Sequence, residues 1–298
     1  MTAITKVSVS DYVSPIRPQW CPGCGNYVIL NILRQVLSEL NIPPYKTVVL
    51  GGIGCGSRIP FYIRSNGFHT IHGRPIPIAL GIKIARHDLN VIVVAGDGDT
   101  YGIGVAHFIH AARSNVGITV IVQNNSVFGL TRGQPSPTAP KGFREAYSES
   151  LDPISLALAS GATFVARAWT GDPRKLKEIF TKAIEHSYVN KHGFSFVDVI
   201  QLCVIYNPTV NGEPFMKYYK DRVIYVDELS DYDVTSKSMA YKYLSEPHNN
   251  KIPMGVFYHD DTKPSLEEEF GLYEKTPLGL LEIDKEGIDI SSIIETVL

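Results

Sequence analysis

Cysteine is scarce in this chain: four in 298 residues, beside two tryptophans and four methionines. So few cysteines exclude the disulfide framework of a small secreted domain. No apolar run approaches the ~20 residues of a membrane-spanning helix, so no membrane partner is expected. Neither sign of charge dominates. Lysine and arginine number 28 against 30 aspartates and glutamates, a net charge of −2, and no basic block occurs. Nucleic acid is therefore not an expected partner. The opening MTAITKVSVSDYVSPIRPQW lacks the charged stretch and apolar core of a secretory signal, which makes a cytoplasmic location the expectation. Internal repeats and low-complexity segments are absent too.

The chain is rich instead in buried strands that end in oxygen ligands. The run Val91-Ile92-Val93-Val94-Ala95 ends in Gly96-Asp97-Gly98. A helical stretch starting near Gly104 follows, then Ile118 to Val122 and Asn124-Asn125. This strand–helix–strand unit puts its ligands at the carboxyl ends of two strands, where open parallel sheets bind small molecules. Asp97 offers a carboxylate, Asn125 a side-chain carbonyl, and the backbone near Val127 a third oxygen. Together with a diphosphate and water these complete an octahedral magnesium site. Gly96 and Gly98 allow close approach of a phosphate, and a helix N-terminus favours an anion. Asp-Gly and Asn-Asn are also common turn residues; only the pair of motifs, each at a strand end, makes a site of them.

Elements alternate along the chain. Helices are expected over 27–40, 76–86, 153–160 and 173–187, the last capped by Asp172, with Asn26 as cap of the first. Strands are expected over 47–50, 91–95, 118–122, 163–168 and 194–204. Such alternation predicts an α/β fold, a parallel sheet flanked by helices. Residues 1–208 form that domain. Residues 209–298 read as a less regular C-terminal extension packing on the core or on a partner, with helical character over 239–244 and an amphipathic end over 283–298.

The cysteines fall at telling places. Cys21 and Cys24 lie in WCPGCG before a helix, Cys55 in GGIGCG after a strand, and Cys203 near the end of the strand from Phe194. Four thiolates that converge make a four-iron cluster or a four-cysteine zinc site. Isolated Cys55 and Cys203, without a second Cys-x-x-Cys knuckle, favour iron–sulfur over zinc. The pairs His69/His72 and His107/His110 are weaker as metal ligands, and the glycines of GIGCGS and GDGDTYGIG do not fit a dinucleotide fingerprint.

Taken together, WCPGCG, GIGCGS, FHTIHGRPIPIALGIK, GDGD and NNSVFGLTRGQPSPT resemble the thiamine-diphosphate-binding β subunit of 2-oxoacid:ferredoxin oxidoreductases, most of all the archaeal two-subunit type. The resemblance runs from about Trp20 to Cys203. It implies a thiamine-diphosphate-binding fold of the diphosphate type. It implies that Cys21, Cys24, Cys55 and Cys203 hold one 4Fe-4S cluster, and that Asp97, Asn125 and the Val127 carbonyl hold Mg2+. Ile53, Gly54, Cys55, Gly56, His72, Gly73, Arg74, Asp97, Gly98, Asp99, Asn125, Gly129 and Leu130 line the cofactor. Arg58, Leu130 and Arg132 face the substrate carboxylate, with arginine where relatives can carry lysine. The implied activity is oxidative decarboxylation of a 2-oxoacid to acyl-CoA and CO2, with electrons leaving through the cluster to ferredoxin. No cofactor-activating glutamate is identifiable, so a larger α subunit, or a fused γα subunit, is expected to supply it. Two alternatives stand beside this: a cluster-free thiamine decarboxylase or synthase, and a four-cysteine zinc scaffold.

Overall fold

The computed structural model describes residues 6–246 and 248–281. The expected amphipathic end, 283–298, lies outside the described residues. Twelve strands follow in chain order: β1 (Thr47–Gly51), β2 (Asn66–His69), β3 (Asn90–Gly96), β4 (Thr119–Asn124), β5 (Val127–Phe128), β6 (Gln134–Pro135), β7 (Phe164–Trp169), β8 (Ser195–Ile200), β9 (Thr209–Val210), β10 (Glu213–Pro214), β11 (Val223–Tyr225) and β12 (Ile252–His259). The main helices are α1 (Asn26–Glu39), α2 (Ile59–Tyr62), α3 (Pro75–Ala85), α4 (Val105–Ser114), α5 (Pro153–Ala159), α6 (Pro173–Ile184), α7 (Phe215–Arg222), α8 (Lys237–Ser245) and α9 (Leu266–Glu269).

Eight strands form one sheet in the order β11-β12-β7-β8-β4-β3-β1-β2. All neighbours are parallel except β12 against β7. The sheet is therefore mixed, where the sequence predicts a parallel one, and the antiparallel strand comes from beyond residue 208. Alternate residues of each strand enter opposite cores. Ile92 and Val94 pack with α1 and α6 on one face; Val91, Val93 and Ala95 pack with α3, α4 and α5 on the other. Burial on both faces explains why these strands read as continuous apolar runs.

α1 buries Ile29, Leu30, Ile32, Leu33, Val36 and Leu37. Each such side chain contributes roughly 1.5–3 kcal/mol. Its cap is Gly25, not Asn26, whose side chain makes no capping bond. α6 starts as expected, with Asp172 accepting from Lys175 N at 3.0 Å. The register decides what lies at the carboxyl edge. Leu50 pairs Val93, Gly96 pairs Gln123, and Asn124 pairs Ile200. Residues 51–56, 97–99, 124–130 and 201–203 thus emerge side by side. The chain leaves β1 outward to β2 and then crosses to β3 on the other side, the kind of reversal that opens a crevice.

Candidate active site

Asp97 follows β3 directly and is almost fully buried. Ser126 N donates to its Oδ2 at 2.8 Å and Ser136 Oγ at 2.6 Å. Thr138 Oγ1 stands 2.9 Å from the same oxygen and 2.8 Å from Asn124 Oδ1. Oδ1 takes none of these donors. Burial pushes the Asp97 carboxyl up to about 6, against the pull of Ser136 and Thr138, so a metal ion in contact would relieve the cost of its charge. The donors reach Asp97 through the small hairpin β5–β6. Asn125 Oδ1 accepts from Val127 N at 3.0 Å, and Asn207 Nδ2 donates to the Asn125 carbonyl at 3.0 Å. α4 starts near Gly104 as expected, and a further helical turn, Gly98–Ile103, precedes it and meets the cavity. A Cβ on Gly98 would lie 2.2 Å from the Phe128 ring, so glycine is what lets that ring cover the floor.

Asp99 is a staple. Its Oδ1 accepts from Ile53 N at 3.1 Å and Gly73 N at 2.8 Å. His72 Nδ1 stands 2.7 Å away, off the line of a hydrogen bond. One buried carboxylate thereby fixes both loops that flank the crevice. A Cβ on Gly52 would meet its Oδ2 at 1.9 Å.

These segments enclose a cavity of about 190 Å³ lined by Ile53, Gly54, Cys55, Gly56, His72, Asp97, Gly98, Asp99, Asn125, Val127, Gly129 and Leu130, and also by Gln123, Phe128 and Gln201. Of the expected lining, Gly73 serves through its backbone N–H on Asp99. Arg74 turns outward and meets His107 on α4. Arg58 lines the adjoining cavity instead, and exposed Arg132 lines neither. Arg132 has φ +81°, a left-handed turn that lifts it from the floor.

The adjoining cavity, about 270 Å³, is lined by all four cysteines. Three ties bring them together: Cys24 N donates to Cys21 O at 3.0 Å, Gly25 N to Leu202 O at 3.3 Å, and Trp20 Nε1 to Cys55 O at 2.7 Å. Cys203 sits beyond β8, not on it, in a bridge with Asn207. All four thiols are free. Burial pushes the Cys24 thiol up to about 11, and the charges of Cys203, Cys55 and Cys21 add to the push. The cavities share Cys55, Asn125, Gly129, Leu130 and Gln201.

The family described as "Thiamine pyrophosphate enzyme, C-terminal TPP binding domain" matches residues 52–199, and the C-terminal family of the pyruvate ferredoxin oxidoreductase beta subunit matches 203–275. The chain is 40% identical to a 2-oxoacid:ferredoxin oxidoreductase subunit beta of Sulfolobus sp, over 94% of this chain and 95% of that one. The chain is a β subunit of the 2-oxoacid:ferredoxin oxidoreductase family. Identity is 38% to subunit beta of 2-oxoacid:ferredoxin oxidoreductase 2 of Aeropyrum pernix, covering 93% of both chains. It reaches 45% with the 2-oxoglutarate oxidoreductase subunit KorB of Mycobacterium tuberculosis, over 84% of this chain and 77% of the relative. A solved 2-oxoglutarate:ferredoxin oxidoreductase from Magnetococcus marinus, with 2-oxoglutarate, coenzyme A and succinyl-CoA bound, superposes with TM-score 0.82 at 32% identity, covering 100% of this chain and 98% of its own. Family membership makes this chain part of an enzyme that needs partner subunits, and its thiamine diphosphate domain is the one folded around Asp97.

Several residues escaped the sequence reading. Ser136 and Thr138 hold Asp97, but serine and threonine in a loop carry no signal of their own. The sequence around Gln123 and Gln201 is equally silent, since amides occur in loops and cores alike, and Asn26 reads there only as a helix cap. No helix among the described residues is long and apolar enough to cross a membrane.

Proposed function

We propose that this chain carries the diphosphate half of a thiamine site and one 4Fe-4S cluster, and that with a larger partner subunit it oxidises a 2-oxoacid to acyl-CoA and CO2 and delivers electrons to ferredoxin. One observation carries the reading: a cavity with a gripped carboxylate on its floor shares a wall with a cavity lined by four cysteines. Asp97, the Asn125 side chain and the Val127 carbonyl would hold Mg2+. Cys21, Cys24, Cys55 and Cys203 would hold the cluster. Among the described residues no three His, Cys, Asp or Glu side chains gather round one point as a structural zinc ion requires. Cysteines spread around a cavity suit a multi-atom cluster better than zinc.

When bound, thiamine diphosphate supplies the carbon nucleophile for decarboxylation. The chain's own residues orient and shield. The Asp99 staple fixes the loops that flank the diphosphate, and Phe128 covers the floor at Gly98. Leu130, on the wall of both cavities, shapes the space for the substrate. Arg58, from the wall of the cysteine cavity, would offer positive charge to a 2-oxoacid carboxylate, and Arg132, which lines neither cavity, would meet it only from the exposed turn after Leu130.

The test is the complex purified without oxygen. It should carry about four irons and four sulfides per β chain, absorb broadly, bleach with dithionite and reduce ferredoxin when given a 2-oxoacid and coenzyme A. Cys203→Ala should lose most of that iron while keeping thiamine diphosphate. A colourless wild-type complex that still decarboxylates would favour the cluster-free alternative.

A further inference from the structure

Gln201 and Asn26 stand out among the polar residues of the cysteine cavity. Gln201 is 1% exposed and Asn26 fully buried. The side-chain Oε1 of Gln201, and both amide atoms of Asn26, have no partner among the described residues. The side-chain nitrogen of Gln201 makes no hydrogen bond to any of them either. A buried amide without partners is costly, on the order of 1–3 kcal/mol for each unmet group. Gln201 Oε1, itself an acceptor, packs beside Gly25, which leaves the N–H side of that amide, like the unmet Asn26 Nδ2, for acceptors in the cavity.

The backbone makes room for the longer amide. A Cβ on Gly25 would lie 2.7 Å from Gln201 Oε1 and 3.0 Å from its Cβ. The Gln201 N–H bonds Asn124 O at 2.8 Å, which anchors the residue to the end of β4. Gln201 also lines the first cavity, so it stands in the wall between the two. Neither amide can form or lose a charge; what each brings is a pair of N–H donors.

We infer that Gln201 and Asn26 are positioning residues whose amide N–H groups donate into the four-cysteine cavity, to the thiolates or sulfides of the cluster, and so raise its reduction potential. The inference rests on the cluster reading above. On reduction the cluster gains one electron, supplied by oxidation of the 2-oxoacid or, in a titration, by dithionite. No covalent bond forms or breaks. The added electron is shared over iron and sulfur and makes the sulfurs more negative, so N–H donors would stabilise the reduced form more than the oxidised one. Gln201, in the shared wall, sets the potential at the side where electrons enter.

The experiment is a dithionite titration of the whole complex, followed by electron spin resonance, with iron counted in parallel. Gln201→Met keeps length and removes both donors. Its potential should fall by a tenfold shift in the one-electron equilibrium, about 59 mV, with iron and thiamine diphosphate content unchanged. Asn26→Leu should shift in the same direction. Gln201→Glu keeps the shape and puts a second oxygen where the donors were, so its potential should fall further. Wild-type iron with an unmoved potential in both Gln201 variants overturns the inference alone, leaving an amide satisfied by water. Loss of iron in both Gln201 variants makes the residue part of cluster assembly and also overturns tuning. A wild-type complex without iron overturns the cluster reading itself, and this inference with it.

Discussion

His186 is buried on the edge of the sheet away from the cavities, with ring centroids of His259 and His192 at 5.0 and 5.5 Å. Thr163 Oγ1 stands 2.9 Å from its Nε2. Burial first, then the charges of His259 and His192, hold its pKa down at about 3, with Asp260 opposing. The unfolded chain would protonate it near 6.5. Between those values the unfolded state binds the extra proton, so stability is full above about 6.5 and is lost as pH falls toward 3. The slope from one such group approaches about 1.4 kcal/mol per pH unit. Urea unfolding midpoints should drop from pH 7 to pH 4.5 in wild type and drop less in His186→Phe; parallel curves would remove His186 as the cause. Asp97 is the residue on which the cation reading depends. Asp97→Ala should weaken magnesium-dependent thiamine diphosphate binding about 100-fold, on the order of 2.8 kcal/mol. Calorimetric titration giving equal affinity would mean that the cation lies elsewhere.

The hairpin β5–β6 is the element that makes Asp97 a site rather than a turn. Ser126 and Ser136 flank it and Thr138 follows, and all three reach one carboxylate oxygen. Thr138→Val keeps the shape and deletes a hydroxyl shared by Asp97 and Asn124. It should cost about 1.5–3 kcal/mol, the worth of a hydrogen bond to a charged group, in magnesium-dependent cofactor affinity. Full retention of that affinity would reduce the hydroxyl to packing. This hairpin also marks where the sequence stops being legible. β1, β3 and β4 could be read because burial on both faces makes them apolar runs, and β7 and β8 because each run is broken by one charged residue only, Arg167 and Asp198, which pair at 3.1 Å. The carboxylate and amide at their ends could be read because strand ends are where ligands sit. β2 could not: Asn66–His69 is exposed at all four positions, so it carries no apolar pattern. β12 could not either. Pro253 and Gly255 interrupt its run, and Gly255 takes φ +103° beside a bulge between Val256 and Tyr258. A Cβ there would strike Asp227 Oδ1 at 2.0 Å. Local propensity speaks against a strand that only its tertiary neighbours enforce.

At the scale of the molecule, the cavities open onto an apolar rim. Ile53 and Leu130 on the wall, Ile71 beside His72 and Ile103 against Gly73 are all exposed. Apolar groups clustered around a polar opening mark a surface meant to be covered. Family membership supplies a partner subunit, and on the proposed reading it is what would cover this rim. The expected result is that the β chain alone, loaded with thiamine diphosphate, magnesium, iron and sulfide, shows no 2-oxoacid-dependent acceptor reduction and gains it when the partner is added. Robust turnover by the lone chain would show that the site is complete without one. That need could be read from the sequence as the lack of an activating glutamate. The rim could not, because its residues come from loops far apart in the chain.

The grip on Asp97 lies wholly within this chain, and so it bears on the order of assembly. The hairpin holds the carboxylate with no partner present, and this chain's exposed apolar rim lies on the open side. On the proposed reading, magnesium and the diphosphate tail can therefore load onto the free β chain ahead of the partner. On that reading docking would favour loaded chains over empty ones, since the cofactor would fill the floor between Phe128 and Leu130.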